Sequence, residues 1–361
     1  MNIKKNIILA AGGTGGHFYP AIALAEELVK SGHDIHLITD RRCEKYITEN
    51  MPIIPHIIDL HIKMSGIFNK IKSIYQLIAA CIKTIVLFLK LKPSIVIGFG
   101  GYPSFPAMLA ASFLKIPIII QEQNCFLGKS NRMFAKQARI IALSYKETSN
   151  IPIEYKDKII YTGDIIRESI RNLPEKQSFN SKVFNIFVVG GSQGALIFSQ
   201  LIPETIQALK KLNPEIKIRI TQQVADEHKP QTQQSYNKLG VECELQNFFY
   251  NIHDIYSNSD LVIARSGAST IAELTTIGLP AIFIPFPYSA EDHQTFNAMA
   301  LVNNNASWYF NQNDVTPKIL AKKLYELITN RNLIQQASQN LLKRKTNGTT
   351  YLAATVLKII G

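Results

Sequence analysis

The sequence predicts an α/β protein made of two doubly wound, parallel-sheet domains. Three observations point there. Short β-branched apolar runs alternate with helical patterns from end to end, as βαβ units with right-handed crossovers require. A glycine-rich turn closes an apolar run twice, once in each half: Gly12-Gly-Thr-Gly-Gly-His17 and Gly190-Gly-Ser-Gln-Gly194. At 361 residues the chain is long for one hydrophobic core and comfortable for two.

In order, strands are expected at 7–11, 34–39, 53–58, 95–98, 116–121 and 140–144 in the first half. The second half offers 186–190, 216–221, 242–246, 261–264 and 281–285, with helical patterns such as 20–30 and 199–211 between strands. This divides the chain into a first domain of 1–162, a second of 163–342, and a terminal helix, 343–361, that packs back on the first. Segment 67–91 is strongly apolar. Ile67, Ile71, Ile74, Ile78, Ile82, Ile85 and Leu89 share one helical face, and Lys72, Lys83 and Lys90 gather on the opposite one. Lys83 in mid-segment argues against a membrane span. Two readings stay open: a core helix, or an interfacial helix whose surplus apolar surface (Phe68, Leu87, Phe88) meets lipid while lysines meet acidic headgroups. Lys129, Arg132, Lys136 and Arg139 have the spacing of a second cationic helical face.

Hydrophobic residues make up 46% of the chain, and the formal charge is +12. That charge implies an anionic partner without choosing among nucleic acid, acidic lipid and a phosphorylated substrate. Cys43, Cys81, Cys125 and Cys243 are scattered with no CxxC pair, so neither a disulfide framework nor a zinc site is expected, and a reducing compartment is favoured. The first apolar run is short and runs into glycines, unlike a signal peptide.

Several motifs fail. Neither glycine turn reads G-x-G-x-x-G, so no dinucleotide cofactor is expected. Gly128-Lys129-Ser130 lacks the first glycine of a P-loop, whose place is taken by Gln123. No helix-turn-helix, RNP or zinc motif supports a nucleic-acid partner. What remains is a set of loops at the carboxyl ends of strands, where open α/β sheets bind ligands. They are Gly12–His17, Gly98-Phe-Gly-Gly-Tyr102-Pro-Ser104 and Glu122-Gln-Asn124, then Gly190–Gly194, Arg265-Ser-Gly-Ala-Ser-Thr270 with Glu273, and Asp292-His-Gln294. Glycine turns opening helices suit phosphate, because free N–H groups and the helix dipole favour negative charge.

The ordered set GGTGGH, GFGGYPS, EQN, GGSQGA and RSGAST with Glu273 resembles the MurG family of bacterial N-acetylglucosaminyltransferases over nearly the whole chain. The resemblance implies a GT-B fold, two Rossmann-like domains facing a cleft. It implies inverting transfer of N-acetylglucosamine from UDP-N-acetylglucosamine to the 4-hydroxyl of the muramoyl sugar of undecaprenyl-linked lipid I, forming lipid II. It also implies a peripheral enzyme at the cytoplasmic face of the inner membrane, with an acidic membrane surface as a partner. Another GT-B nucleotide-sugar enzyme, such as a glycolipid glycosyltransferase or a UDP-sugar epimerase, is the alternative.

Carried over residue by residue, the resemblance makes His17 the general base. It gives Thr14, Gly15, Gly16, Asn124, Arg167, Ser192, Phe249, Ala268, Ser269, Thr270, Glu273, His293 and Gln294 to the donor. Within that set Ser192 and Arg167 would meet the diphosphate, the Phe249 backbone the uracil, Glu273 the ribose, and His293 and Gln294 the sugar. Gly13, Tyr102 and Ser104 fall to the acceptor. No Asp-x-Asp lies near the donor loops, so no catalytic metal and no cofactor is expected. The junction Gly163-Asp-Ile-Ile-Arg167 departs from the family pattern at Asp164, and Phe105 stands where a smaller residue is common, which would narrow the acceptor groove.

Overall fold

The computed structural model describes residues 4–58, 67–176, 178–191 and 196–361, without the side chains of Ile67, Phe68 and Lys70. It divides into two compact units, Met1–Glu168 with Thr346–Gly361, and Ser169–Lys345. The first boundary falls six residues beyond the expected 162 because the junction strip is bound to the chain's last segment. The Asp164 N–H donates to Thr346 Oγ1 at 2.9 Å, and the Ile166 N–H to Thr349 Oγ1 at 2.8 Å. Ile165 is buried in the core of the first unit.

The first unit contains β1 (Asn6–Ala10), α1 (Gly15–Leu28), β2 (Asp34–Asp40), α2 (Arg41–Glu44), β3 (Ile54–Ile58), α3 (Ile67–Leu91), β4 (Ile95–Gly98), α4 (Phe105–Phe113), β5 (Ile118–Glu122), α5 (Lys129–Phe134), β6 (Ile140–Leu143) and β7 (Ile159–Tyr161). Its strands form one parallel sheet in the order β3-β2-β1-β4-β5-β6-β7. Along β1, Ile7 and Leu9 enter the core on one face and Ile8 and Ala10 the core on the other. Burial on both faces is why the run is continuously apolar rather than alternating. The Gly348–Ile360 helix lies on α1 and adds Leu352, Ala353 and Val356 to that core.

The second unit follows α6 (Glu168–Arg171). It contains β8 (Phe184–Val189), α7 (Leu196–Leu212), β9 (Ile218–Gln223), α8 (Lys229–Lys238), β10 (Glu242–Gln246), α9 (Ile252–Asn258), β11 (Leu261–Ala264), α10 (Ala268–Ile277), β12 (Ala281–Phe283), α11 (His293–Val302), β13 (Trp308–Tyr309), α12 (Pro317–Thr329) and α13 (Arg331–Leu342). Its sheet is parallel in the order β10-β9-β8-β11-β12-β13. Both sheets reverse direction of winding beside their first strand, at β1/β4 and at β8/β11. Such switch points open the crevice in which doubly wound sheets bind ligands.

Four sequence expectations need correction. β5 begins at Ile118, not 116, since Pro117 has no N–H for the ladder. The edge strands β7 and β13 have no counterpart among the expected strands, because at three and two residues they are too short to show a period. Helix α5 ends at Phe134, so Lys136 and Arg139 do not continue one helical face with Lys129 and Arg132.

The fourth concerns α3, whose apolar stripe faces solvent from Ile71 to Leu89 except at Ile85, which packs against the core. Ile71, Ile74, Tyr75, Ile78, Ile82, Val86 and Leu89 are all exposed, Tyr75 at 73%. The buried side is Ser73, Ala80, Cys81, Thr84 and Phe88, so Phe88 belongs to the core and not to surplus surface. Lys72, Lys83 and Lys90 each follow an exposed apolar residue, and so flank the stripe about 100° round the helix instead of opposing it.

Candidate active site

In the first unit the β1–α1 turn meets the β4–α4 turn at the switch point. Thr14 is the N-cap of α1 in extended conformation, and its carbonyl accepts the N–H groups of His17 and Phe18. This sets His17 in the first turn of α1. Its Nδ1 lies 2.8 Å from the Phe99 carbonyl oxygen, with the Gln123 amide 2.5 Å from the same nitrogen. A carbonyl only accepts, so Nδ1 carries the hydrogen and Nε2 keeps its lone pair. The matching orientation of Gln123 turns its amide oxygen to the ring.

The Phe99–Ser104 loop reaches the imidazole because Gly101 has no side chain. A Cβ there would stand 3.2 Å from His17 Cδ2 and 2.8 Å from the Gly12 carbonyl oxygen, at a φ of +74°. Ser104 is buried, and its hydroxyl donates to the Gly101 carbonyl at 2.8 Å, so it closes this loop from within. Phe105 packs on Phe134, centroids 5.3 Å apart, against the core.

Glu122 ends β5 almost fully buried, and organises the next loop. Its Oε1 accepts from the Asn124 N–H (3.0 Å) and Nδ2 (2.9 Å). Its Oε2 accepts from the Gly128 N–H (3.0 Å) and Asn131 Nδ2 (2.8 Å). Burial pushes this carboxyl above the usual carboxylate range, opposed by those four donors. Asn124 therefore stands at the site with its amide nitrogen committed to Glu122. Arg167 also lies in the first unit, its guanidinium stacked 4.2 Å above the Tyr19 ring.

In the second unit, β8 ends at the glycine turn. The Gly190 N–H donates to Gln223 Oε1 at 3.2 Å, and Gly191 has a φ of +82°. Ser192, with 193–195, lies outside the described residues. After β11, Gly267 caps α10, whose first turn is Ala268, Ser269 and Thr270; first-turn N–H groups have no partner within a helix. One turn on, buried Glu273 accepts the Tyr256 hydroxyl at 2.9 Å. The Phe249 ring is buried edge-on to Phe187, with centroids 5.6 Å apart.

The loop before α11 is tied to the same place. Ser266 donates to the Gln294 carbonyl at 2.7 Å, and Gln294 Oε1 accepts the Phe286 N–H at 2.9 Å. His293 Nδ1 lies 2.7 Å from the Ala290 carbonyl oxygen, so this histidine also keeps Nε2 as its acceptor. Glu291 and Asp292, at φ +52° and +53°, hold the turn in the left-handed region. Arg265 is buried, bonded to the carbonyls of Ile284 (2.7 Å) and Pro285 (2.8 Å) and to Gln312 (2.5 Å). Burial pulls its pKa down to about 10, so it stays charged at neutral pH.

Sequence relationships match this geometry. Residues 7–143 match the glycosyltransferase family 28 N-terminal domain and residues 185–352 the C-terminal domain of that family. A protein of Rickettsia canadensis, named UDP-N-acetylglucosamine–N-acetylmuramyl-(pentapeptide) pyrophosphoryl-undecaprenol N-acetylglucosamine transferase, is 48% identical across 99% of this chain and 100% of its own. The relative of that name in Rickettsia bellii is 46% identical over the same shares. Acinetobacter baumannii MurG superposes with a TM-score of 0.77 at 27% identity, over 98% of this chain and 99% of that one.

The chain belongs to the MurG family.

MurG membership, with the two parallel sheets, makes the fold GT-B. The MurG motifs located the loops, but not the residues that hold them. Those are Gln123 at His17, Tyr256 at Glu273 and the Asp40–Arg42 pair beside Gly13. Gln123 sits within the quoted EQN motif; Tyr256 and Asp40 belong to no motif and carry no signal of their own.

Proposed function

We propose that this chain transfers N-acetylglucosamine from UDP-N-acetylglucosamine to the 4-hydroxyl of the muramoyl sugar of lipid I, giving lipid II, with His17 as general base. The observation that carries the assignment is the pairing of His17 Nδ1 with the Phe99 carbonyl, which leaves Nε2 basic at the switch point of the first sheet. Nε2 takes the acceptor's hydroxyl proton as the oxygen attacks the anomeric carbon. The new C–O bond forms as the bond to the diphosphate breaks, and UDP leaves with that electron pair, so configuration inverts from α to β. The acceptor lies with Gly13 and Tyr102 in the first unit. The second unit holds the donor: the Gly190 turn with Ser192 and the first turn of α10 receive the diphosphate, Glu273 the ribose, the Phe249 backbone the uracil, and His293 with Gln294 the sugar. Donors aimed at the departing diphosphate stabilise its developing charge.

The exposed stripe of α3 supports docking on an acidic membrane, where lipid I resides. Ile71–Leu91 is long and apolar enough to cross a bilayer, but one face, with Ser73, Thr84 and Phe88, is buried in the protein. A helix with one face in protein, one apolar face outward and lysines at its margin fits a helix lying in the interface. Each lysine near an anionic leaflet contributes ~1 kcal/mol. Docking on the cytoplasmic face of the inner membrane follows from the nucleotide-sugar donor and the lipid acceptor.

Changing His17 to alanine separates the base from a binding role. Transfer should fall by about 10²–10⁴ while UDP affinity holds; equal loss of UDP binding would remove His17 from the role of base.

A further inference from the structure

Arg42 occupies a position beside the acceptor turn that no motif explains. Asp40, the last residue of β2, is 2% exposed. Its Oδ1 accepts the Gly13 N–H at 3.2 Å, and its Oδ2 accepts both Nε and Nη2 of Arg42 at 2.6 Å. The guanidinium is thus clamped along one edge, stacked 4.7 Å from the Tyr102 ring centroid, and pressed against Gly13. A Cβ on Gly13 would come within 3.1 Å of Nη2. The arginine side chain is still 43% exposed. Nη1 makes no hydrogen bond among the described residues.

The clamp has a chemical consequence for the turn. The Gly13 N–H is taken by Asp40, so it is not available to a phosphate. The buried carboxylate holds the planar cation by one edge, between Gly13 and Tyr102, in a side chain that stays partly open to solvent. A guanidinium fixed in this way loses little entropy on binding and presents paired donors that match phosphate oxygens.

We propose that Arg42 is the diphosphate-binding residue of the acceptor turn, held in place by Asp40 and Tyr102. The inference rests on the first unit receiving the lipid-linked acceptor. The ligand chemistry is a phosphate ester, and it has two sources: the acceptor's diphosphate and the headgroups of bulk phospholipid. The structure favours the first, because the guanidinium lies against Gly13, in the turn that carries His17.

Steady-state transfer with a short-chain, water-soluble lipid I analogue, in the absence of any membrane, tests it. Arg42→Gln should raise the acceptor KM by about tenfold and leave the donor KM near wild type, with Arg42→Lys, which keeps a cation on buried Asp40, separating lost phosphate binding from lost stability. Inorganic pyrophosphate should inhibit wild type competitively against the acceptor, and that component should weaken in Arg42→Gln and persist in part in Arg42→Lys. Binding of Arg42→Gln to acidic phospholipid vesicles should match wild type. Unchanged acceptor KM and pyrophosphate inhibition would overturn the proposal, as would a defect confined to vesicle binding. A wild-type enzyme inactive toward the analogue would instead overturn the functional reading on which it rests.

Discussion

The Nδ1 nitrogen of His17 lies 2.8 Å from the carbonyl oxygen of Phe99, 82 residues further along the chain. One hydrogen bond across the β1/β4 switch point therefore sets the tautomer of the histidine and makes Nε2 its basic atom. Gln123 shares that nitrogen and fixes the plane of the ring. Gln123→Leu removes that restraint without touching Nε2. It should lower kcat roughly tenfold with little change in donor KM; a change in donor KM alone would place Gln123 elsewhere.

Gly101→Ala should damage the same arrangement from the other side. Its φ of +74° strains any side chain, and the added carbon would meet the Gly12 carbonyl oxygen and the imidazole. Chemical denaturation should show a loss exceeding ~1 kcal/mol, accompanied by slower transfer. A stable variant with full activity would mean that the loop does not press on His17.

Glu122→Gln places an NH₂ group opposite donors that now meet a carboxylate oxygen. The expected loss is about 1–3 kcal/mol, read from urea unfolding. Its pH dependence has a definite sign. A carboxyl raised in the folded state contributes stability at acid pH, and this is lost as pH rises from the ordinary carboxylate value through the raised one. The glutamine variant should lack that slope.

His36 and His56 make the opposite prediction for stability at acid pH. Their rings stack at 5.2 Å, His36 Nδ1 lies 3.0 Å from His56 Nε2, and His36 Nε2 lies 3.1 Å from Asn6 Oδ1. Burial lowers both pKa values below 6.5. Stability is therefore full above about pH 6.5 and falls as pH drops below it, because the unfolded chain takes up protons first. Thermal unfolding between pH 7.5 and 5.5 should show the fall in wild type and a smaller one in a His36→Asn, His56→Asn double variant.

Ile78→Glu with Ile82→Glu puts two charges in the middle of the exposed α3 stripe. Co-sedimentation with acidic vesicles should drop sharply while transfer to a soluble acceptor analogue persists, since both side chains face solvent already. Undiminished vesicle binding would assign membrane contact to another surface.

The strand–helix alternation and the order of the glycine loops were legible because both follow from local pattern. Ile7–Ala10 reads as a doubly buried strand from its composition, and Gly13 as a turn from its residue type. The α3 stripe was legible as a stripe but not in its direction, since periodicity reports a face and not what covers it. The supports of the site were hidden for a different reason. Gly13 meets Asp40 across 27 residues, His17 meets Gln123 across 106, and Tyr256 meets Glu273 through packing that no local spacing records. Sheet order creates those contacts, and a sequence pattern does not carry sheet order.

The most direct measurement is the release of UDP from UDP-N-acetylglucosamine by the purified protein, with and without a lipid I analogue, followed by analysis of the lipid product. UDP should appear only when the acceptor is present, in step with a β-linked N-acetylglucosaminyl product, and His17→Ala should suppress both. Acceptor-independent turnover, or conversion of the nucleotide sugar without a lipid-linked product, would contradict the assignment.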